Sequence, residues 1–297
     1  MPVAASPPPI LFDARRRAAR LTRARLDRAD FLHRRAAEDA VDSLAVILRP
    51  FEAIVDTSAL PGPFAAALAA TPDVAARLGP VRAAPAGADP GAQPLSVPPE
   101  SQDLVVSLFS LHWANDLPGA LAHVRRALRP DGLFLGALFG AGTLKELRAI
   151  LTEAELDARG GAQARVSPFA DGYDGAGLLQ RAGFALPVSD VDRLTVLYPD
   201  MFALLRDLRA MGETSALAGP VRPLTRSIAA RAAQLYAERY GQADGRIPAT
   251  FEVIRLAGWA PHDSQPKPAR RGSAKVRLAD ALGVREIKAA PDGTLSS

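Results

Sequence analysis

The residues with the clearest chemical potential lie in a short segment from Ser110 to Asp116. This segment follows a continuous apolar run, residues 103–110, which is typical of a strand buried in a parallel sheet. Ligands of open α/β sheets bind beyond the carboxyl ends of the strands. His112 could therefore exchange a proton with a substrate, and Trp113 could stack on a ring or cover it. The alternative is that Trp113 closes the core and His112 caps the next helix.

A second group of residues forms the loop after the apolar run 51–57. Loops that bind nucleotide-type cofactors follow a strand that ends in an acidic residue, and their glycines let backbone N–H groups approach the ligand. In this loop Leu60 adds bulk and Pro61 lacks an N–H group. The cofactor-binding candidates are Asp56, Ser58, Gly62 and, from the neighbouring strand end, Ser110. The alternative is an ordinary strand-to-helix turn with Asp56 as a cap.

In dinucleotide-binding folds, an acidic residue on the strand after the cofactor loop binds the ribose hydroxyls. No residue of this chain clearly occupies that position. The nearest acids are Asp73 and Asp89, and both lie in the segment 71–100, which is rich in proline, alanine and glycine. This composition predicts an irregular segment. Asp89 is a substitute candidate, and a surface loop residue is the alternative.

The elements around these residues alternate between apolar strands and amphipathic helices. This alternation predicts an α/β fold with a doubly wound, mostly parallel sheet. Thr143 and Glu146 predict a capping box at the start of one helix. The predicted organisation is a disordered lead at 1–10, an N-terminal helical extension at 11–48, a main domain at 49–262 with extra helices at 199–245 before the last strand, and a tail at 263–297.

The composition excludes several classes of site. The chain has no cysteine, so it forms no disulfide and no thiolate metal site, and its four histidines are too far apart in sequence to suggest zinc. Arginines are concentrated between Arg15 and Arg28, but no aromatic residues alternate with them as in RNA-binding surfaces. RNA modification is therefore only a third hypothesis, and a protein or peripheral membrane partner fits equally well. With no apolar run long enough to span a membrane and no secretory signal, we expect a bacterial cytoplasmic protein.

Several blocks of the sequence are recognisable together. The motifs Ser110-Leu-His-Trp-Ala-Asn-Asp116 and Pro130-Asp-Gly132 resemble the malonyl-carrier-protein methyltransferase type, the BioC-like group. The similarity is closer to the mitochondrial complex I assembly factor 5 family and its bacterial relatives. The blocks that carry it are 103–121, 130–140, 143–148, 167–169, 198–213 and 248–274.

This resemblance implies a class I methyltransferase fold, S-adenosylmethionine (SAM) as cofactor, and a role in maturing a subunit of a respiratory NADH dehydrogenase. It also implies that the mitochondrial members hydroxylate an arginine. The chain departs from the family in the cofactor loop, which in the family reads Asp-Leu-Gly-Cys-Gly-x-Gly. Only Asp56 and Gly62 of that pattern are present here, and we expect the second strand with its acidic end to be eroded.

Two main hypotheses follow. The first is a SAM-dependent enzyme, a methyltransferase or an arginine-modifying relative, in which His112 and Trp113 act on the substrate. Trp259, His262 and Gln265 are weaker candidates on the substrate side, with packing as the alternative for Trp259. The second is a catalytically degenerate relative that keeps the fold as a binding scaffold or assembly factor.

Overall fold

The computed structural model describes residues 10–85, 87, 89–169, 174–266, 280 and 283. The chain divides into two units, Met1–His262 and Asp263–Ser297. The first unit carries the sheet and every helix discussed below. The predicted lead falls, except for Ile10, outside the described residues, as does most of the predicted tail. No helix within the described ranges is long and apolar enough to cross a membrane.

A six-stranded sheet forms the centre of the first unit. Its spatial order is β2-β1-β3-β4-β6-β5, in which the first four strands run parallel and β6 is antiparallel to both of its neighbours. The predicted doubly wound, mostly parallel sheet is therefore confirmed. The strands are β1 Ile54–Asp56, β2 Val81–Ala83, β3 Gln102–Leu108, β4 Leu128–Phe139, β5 Ala185–Tyr198 and β6 Ile247–Trp259.

Helices cover both faces of this sheet. The predicted N-terminal extension contains two helices rather than one continuous segment, and the region before β6 carries two more, as expected. The helices are α1 Ala14–Thr22, α2 Phe31–Ala45, α3 Pro63–Ala69, α4 Pro72–Ala75, α5 Leu117–Ala127, α6 Lys145–Arg159, α7 Gly175–Arg181, α8 Met201–Ala210 and α9 Arg226–Tyr240.

The central strand β3 is buried on both faces, which explains its continuous apolar sequence. Leu104 and Val106 belong to the core that includes the apolar side of α2, whereas Val105 packs into the core on the α5 side. Each of these side chains is essentially inaccessible to solvent. Complete burial of one such side chain stabilises the fold by roughly 1.5–3 kcal/mol. The strand therefore holds the segment that follows it in a fixed position.

Two local predictions differ from the structure. The segment 71–100 was expected to be irregular, but it contains α4 and the short strand β2, because its prolines lie at the start of the helix and on either side of the strand. The predicted capping box is wrong. Thr143 exchanges hydrogen bonds with the backbone of Glu252 in β6, and the Glu146 carboxylate accepts hydrogen bonds from Thr250. Both side chains thus join α6 to β6 instead of capping the helix.

Candidate functional site

The loop after β1 is closed onto the neighbouring strand by its own side chains. Asp56 is buried, and its Oδ1 accepts a hydrogen bond from the Ser58 backbone N–H at 2.9 Å. The Ser58 hydroxyl accepts a hydrogen bond from the Leu108 backbone N–H at 2.8 Å. Thr57 donates its hydroxyl to the Val106 carbonyl at 3.0 Å. Thr57 and Ser58 are therefore held against the carboxyl end of β3, and Asp56 holds Ser58 in place.

This arrangement does not reproduce the backbone cradle of a glycine loop. Burial raises the pKa of Asp56, and its hydrogen bonds with Ser58 oppose that rise. Pro61 offers no donor. Gly62 is exposed, caps α3 with φ of 125°, and has no atom within 4 Å of the position that a Cβ would take. Of the glycine loop that the resemblance implies, this chain therefore keeps one glycine, and the residues present do not form the backbone cradle that such a loop offers to SAM.

The end of β2 carries no acidic side chain, because Ala83 and Ala84 occupy that position. Asp89, the substitute candidate, contacts Asn115 instead. Its carboxylate accepts hydrogen bonds from the Asn115 side-chain amide at 2.9 Å and backbone N–H at 3.2 Å. Asp89 therefore orders the loop that follows β3.

The chain bends sharply where β3 ends. Phe109 has φ of 50°, a left-handed conformation that is costly for a bulky residue. Its ring stacks on Phe139 at a centroid distance of 4.5 Å, and this packing holds the bend. Ser110 follows, and its Oγ is buried with no hydrogen-bond partner among the described residues. The bend directs Leu111–Trp113, a 3₁₀ turn, over the edge of the sheet.

Glu213 brings the two catalytic candidates together. Its Oε2 accepts hydrogen bonds from the indole N–H of Trp113 and from Nε2 of His112, each at 3.0 Å. Its Oε1 accepts a hydrogen bond from Nη2 of Arg17 at 3.1 Å. All four side chains are buried. We call these residues, Arg17, His112, Trp113 and Glu213, the Glu213 cluster.

The charge of the Glu213 cluster is fixed by its geometry. Burial alone would raise the pKa of Glu213, but the positive charge of Arg17 and the contacts of His112 outweigh it and lower the pKa to about 2. Glu213 is therefore a carboxylate at neutral pH. Burial lowers the pKa of His112, although Glu213 opposes this effect. A neutral His112 must then carry its proton on Nε2, since a carboxylate can only accept.

The His112 ring is enclosed by aromatic side chains. The rings of Phe139, Phe169 and Trp113 lie with their centroids 5.0, 5.4 and 5.5 Å from it. Its Nδ1 is buried and has no partner within the described residues. Neither ring nitrogen is exposed to solvent. His112 is thus positioned as a packed residue of the fold.

The N-terminal segment completes this side of the site. The Arg17 guanidinium lies over the Trp113 ring, 4.4 Å from its centroid, and Phe12 contacts the same ring edge-on at 5.0 Å. Asn115 accepts hydrogen bonds from the backbone N–H groups of Leu11 and Phe12 at 2.7 and 2.8 Å. The N-terminal extension therefore covers the carboxyl end of β3.

The structure thus brings some predicted residues together and separates others. His112 and Trp113 share one cluster, while Asp56 and Ser58 lie in the neighbouring loop beside β3. Trp259 pairs with Leu133 at the opposite edge of the sheet, where it stacks on Phe51. Sequence reasoning missed Glu213 and Arg17 as members of the site. The only signal for Glu213 was its position at the end of the block 198–213.

Comparisons with known proteins agree with this fold. The family described as "Methyltransferase domain" matches residues 79–136. The mitochondrial arginine-hydroxylase NDUFAF5 of Danio rerio is 45% identical over 186 residues, which are 63% of this chain and 58% of that protein. The human NDUFAF5 is 46% identical over 178 residues, 60% of this chain and 52% of the relative. A malonyl-[acyl-carrier protein] O-methyltransferase of Halorhodospira halophila is 38% identical over 194 residues, 64% and 62% of the two chains.

This chain therefore spans less than two thirds of the length of each of these relatives. The solved YcgJ protein of Bacillus subtilis superposes with a TM-score of 0.45 at 14% identity, over 77% of this chain and 99% of that one. The chain therefore contains a segment, residues 79–136, that matches a methyltransferase domain, and it is similar in sequence to NDUFAF5 proteins and to a malonyl-[acyl-carrier protein] O-methyltransferase.

Proposed function

We propose that this chain is a methyltransferase-fold assembly protein that binds a subunit of a respiratory NADH dehydrogenase and does so without SAM. The observation that carries this proposal is that both catalytic candidates, His112 and Trp113, belong to the Glu213 cluster. The N–H groups of His112 and Trp113 are both directed at the Glu213 carboxylate. They are hydrogen-bonded inside the fold and are not exposed to a substrate.

The closed loop after β1 supports the same proposal. A cofactor that used the Ser58 N–H or hydroxyl would have to displace the hydrogen bonds that Asp56 and Ser58 make with each other and with Leu108. Breaking a buried hydrogen bond without replacing it costs about 1–3 kcal/mol for each group left unsatisfied. The ligand would also lack the donor that Pro61 removes. The link to a respiratory complex rests on the sequence similarity to NDUFAF5 proteins.

A SAM-dependent enzyme that acts on the same subunit is the second candidate. The unpartnered hydroxyl of Ser110 favours it, because this group lies at the edge of the sheet where such cofactors bind. The similar proteins carry the names arginine-hydroxylase and malonyl-[acyl-carrier protein] O-methyltransferase, which denote two different reactions. Methylation and hydroxylation therefore both stay open for this candidate.

Genetic complementation separates the two candidates. The gene is deleted in the organism that encodes it, and the amount of assembled NADH dehydrogenase is measured on native gels with an in-gel activity stain. We expect deletion to reduce the assembled complex and the Asp56→Asn variant to restore it as fully as the wild type. Unchanged assembly after deletion would exclude the role in assembly. Failure of a folded Asp56→Asn protein would favour the enzyme.

A further inference from the structure

A polar cleft lies beside the Glu213 cluster and has no part in the function proposed above. Its volume is about 530 Å³, and three separate chain segments line it. Helix α1 contributes Arg16 and Arg20. The loop after α6 contributes Arg165, and the segment after Glu213 contributes Thr214 and Ser215. The size falls within the range of pockets that hold small molecules.

The cleft is lined by hydrogen-bond donors that lack acceptors. Nε of Arg20 and Nε of Arg165 are both buried, and neither has a hydrogen-bond partner among the described residues. These two Nε atoms are closed off from solvent, but the rest of the Arg20 guanidinium donates no hydrogen bond to any described residue and is available to an acceptor in the cleft. The hydroxyls of Thr214 and Ser215 likewise make no hydrogen bond within the part of the chain that the structure describes.

The charges around the cleft favour an anion. Arg165 forms an ion pair with Glu155, and Arg16 forms one with Asp13 while its Nη2 donates to the Gly219 carbonyl at 2.8 Å. Arg20 forms no ion pair with any described carboxylate. The residues that line the cleft therefore carry a net positive charge. Carboxylate and phosphate oxygens accept hydrogen bonds from guanidinium groups and hydroxyls.

One wall of the cleft is apolar. It consists of Leu217, Ala218, Pro220 and Val221, and the Val221 side chain is exposed. We propose that this cleft is a binding site for a small molecule that carries a carboxylate or phosphate group on a short apolar body. The charged group binds Arg20 and Arg165 with the two hydroxyls, and the apolar part packs against Pro220 and Val221.

Thermal unfolding of the full chain with three probes tests this site at constant ionic strength, with chloride as the balancing anion. The probes are inorganic phosphate, butyrate and butyramide, the last being the neutral analogue of butyrate. We expect phosphate and butyrate to raise the Tm saturably, because a ligand that binds only the folded state stabilises it. Butyramide should raise it far less. No saturable rise with either anion, or an equal rise with butyramide, would overturn the proposal.

Substitutions test whether the rise of Tm with anions comes from binding in the cleft. Arg20→Gln should weaken the apparent affinity for butyrate about tenfold or more, since it removes a charged donor. Arg15→Gln is the matched control, because Arg15 lies on the same helix, is exposed, and does not line the cleft. Ser215→Ala is a milder second variant that should weaken binding without changing charge. Equal responses of wild type, Arg20→Gln and Ser215→Ala would contradict the assignment.

Discussion

Arg17 and Glu213 are 196 residues apart in the sequence and form a buried ion pair with Nη2 and Oε1 3.1 Å apart. Arg17 also donates a hydrogen bond from Nη1 to the Gly212 carbonyl. The pair joins the first helix to the turn after α8, directly over the end of β3. Because Glu213 also accepts from His112 and Trp113, a single carboxylate orders three distant parts of the chain.

The first prediction concerns this carboxylate. Glu213→Gln leaves the buried Arg17 without a counter-charge, and breaking a buried pair in this way costs about 3–5 kcal/mol. We expect the free energy of unfolding in urea to fall by that amount. Glu153→Gln is the control, since Glu153 forms an ion pair with Arg239 on the surface, where such pairs contribute little to stability. A loss for Glu213→Gln no larger than for Glu153→Gln would refute the structural role of the cluster.

The second prediction concerns the attachment of the N-terminal segment. Asn115→Ala removes the acceptor for the Leu11 and Phe12 N–H groups and the donor to the Phe12 carbonyl. We expect faster hydrogen exchange in residues 10–22, while exchange in β3 and β4 stays slow. Asp116→Asn is the control, because asparagine caps α5 as well as aspartate does. Unchanged exchange in residues 10–22 of the Asn115→Ala protein would show that other contacts hold the segment.

The third prediction concerns pH. Burial lowers the pKa of His33 from its ordinary value of 6.5 to about 4, although Glu213 opposes the effect, and the pKa of His112 is lowered in the same direction. Between pH 6.5 and 4 the unfolded state therefore binds protons that the folded state does not. Stability should be complete above pH 6.5 and fall with decreasing pH, by about 1.4 kcal/mol per pH unit from His33 and by a further amount from His112.

Urea unfolding at pH 7.5, 5.5 and 4.5 measures this dependence. His33→Leu should reduce the slope, because it removes one of the two histidines. Below pH 4.5 we expect a further loss of stability from Glu213. Its pKa is lowered to about 2 in the folded protein, so the unfolded state takes up this proton first as the pH falls. A pH dependence that is the same with and without His33 would contradict the burial of a neutral imidazole there.

The sheet could be predicted because each strand is recognisable from the pattern of its own apolar residues. The apolar run of β3 and the alternation around β4 and α5 depend only on neighbouring residues. The Glu213 cluster could not be predicted in this way, since its members are brought together from residues 17, 112, 113 and 213. Thr143 and Glu146 show the same limit. Their spacing fits a capping box, but β6 offers them backbone and hydroxyl partners that no local pattern shows.

The short strand β2 was missed for a different reason. Its three residues lie between Pro80 and Pro85, and prolines usually indicate a loop. Both prolines fall just outside the strand, so every N–H group that pairs with β1 is present. Its last residue is Ala83, which is not acidic.

We propose that the edge of the sheet beside Asp56 does not bind SAM. Isothermal titration calorimetry with up to millimolar SAM tests it directly on the full chain, alongside the Tm measured with the same ligand. We predict no saturable heat and no rise in Tm. A saturable signal in the wild type that Asp56→Ala abolishes, in a protein that remains folded, would contradict this proposal and establish the cofactor site.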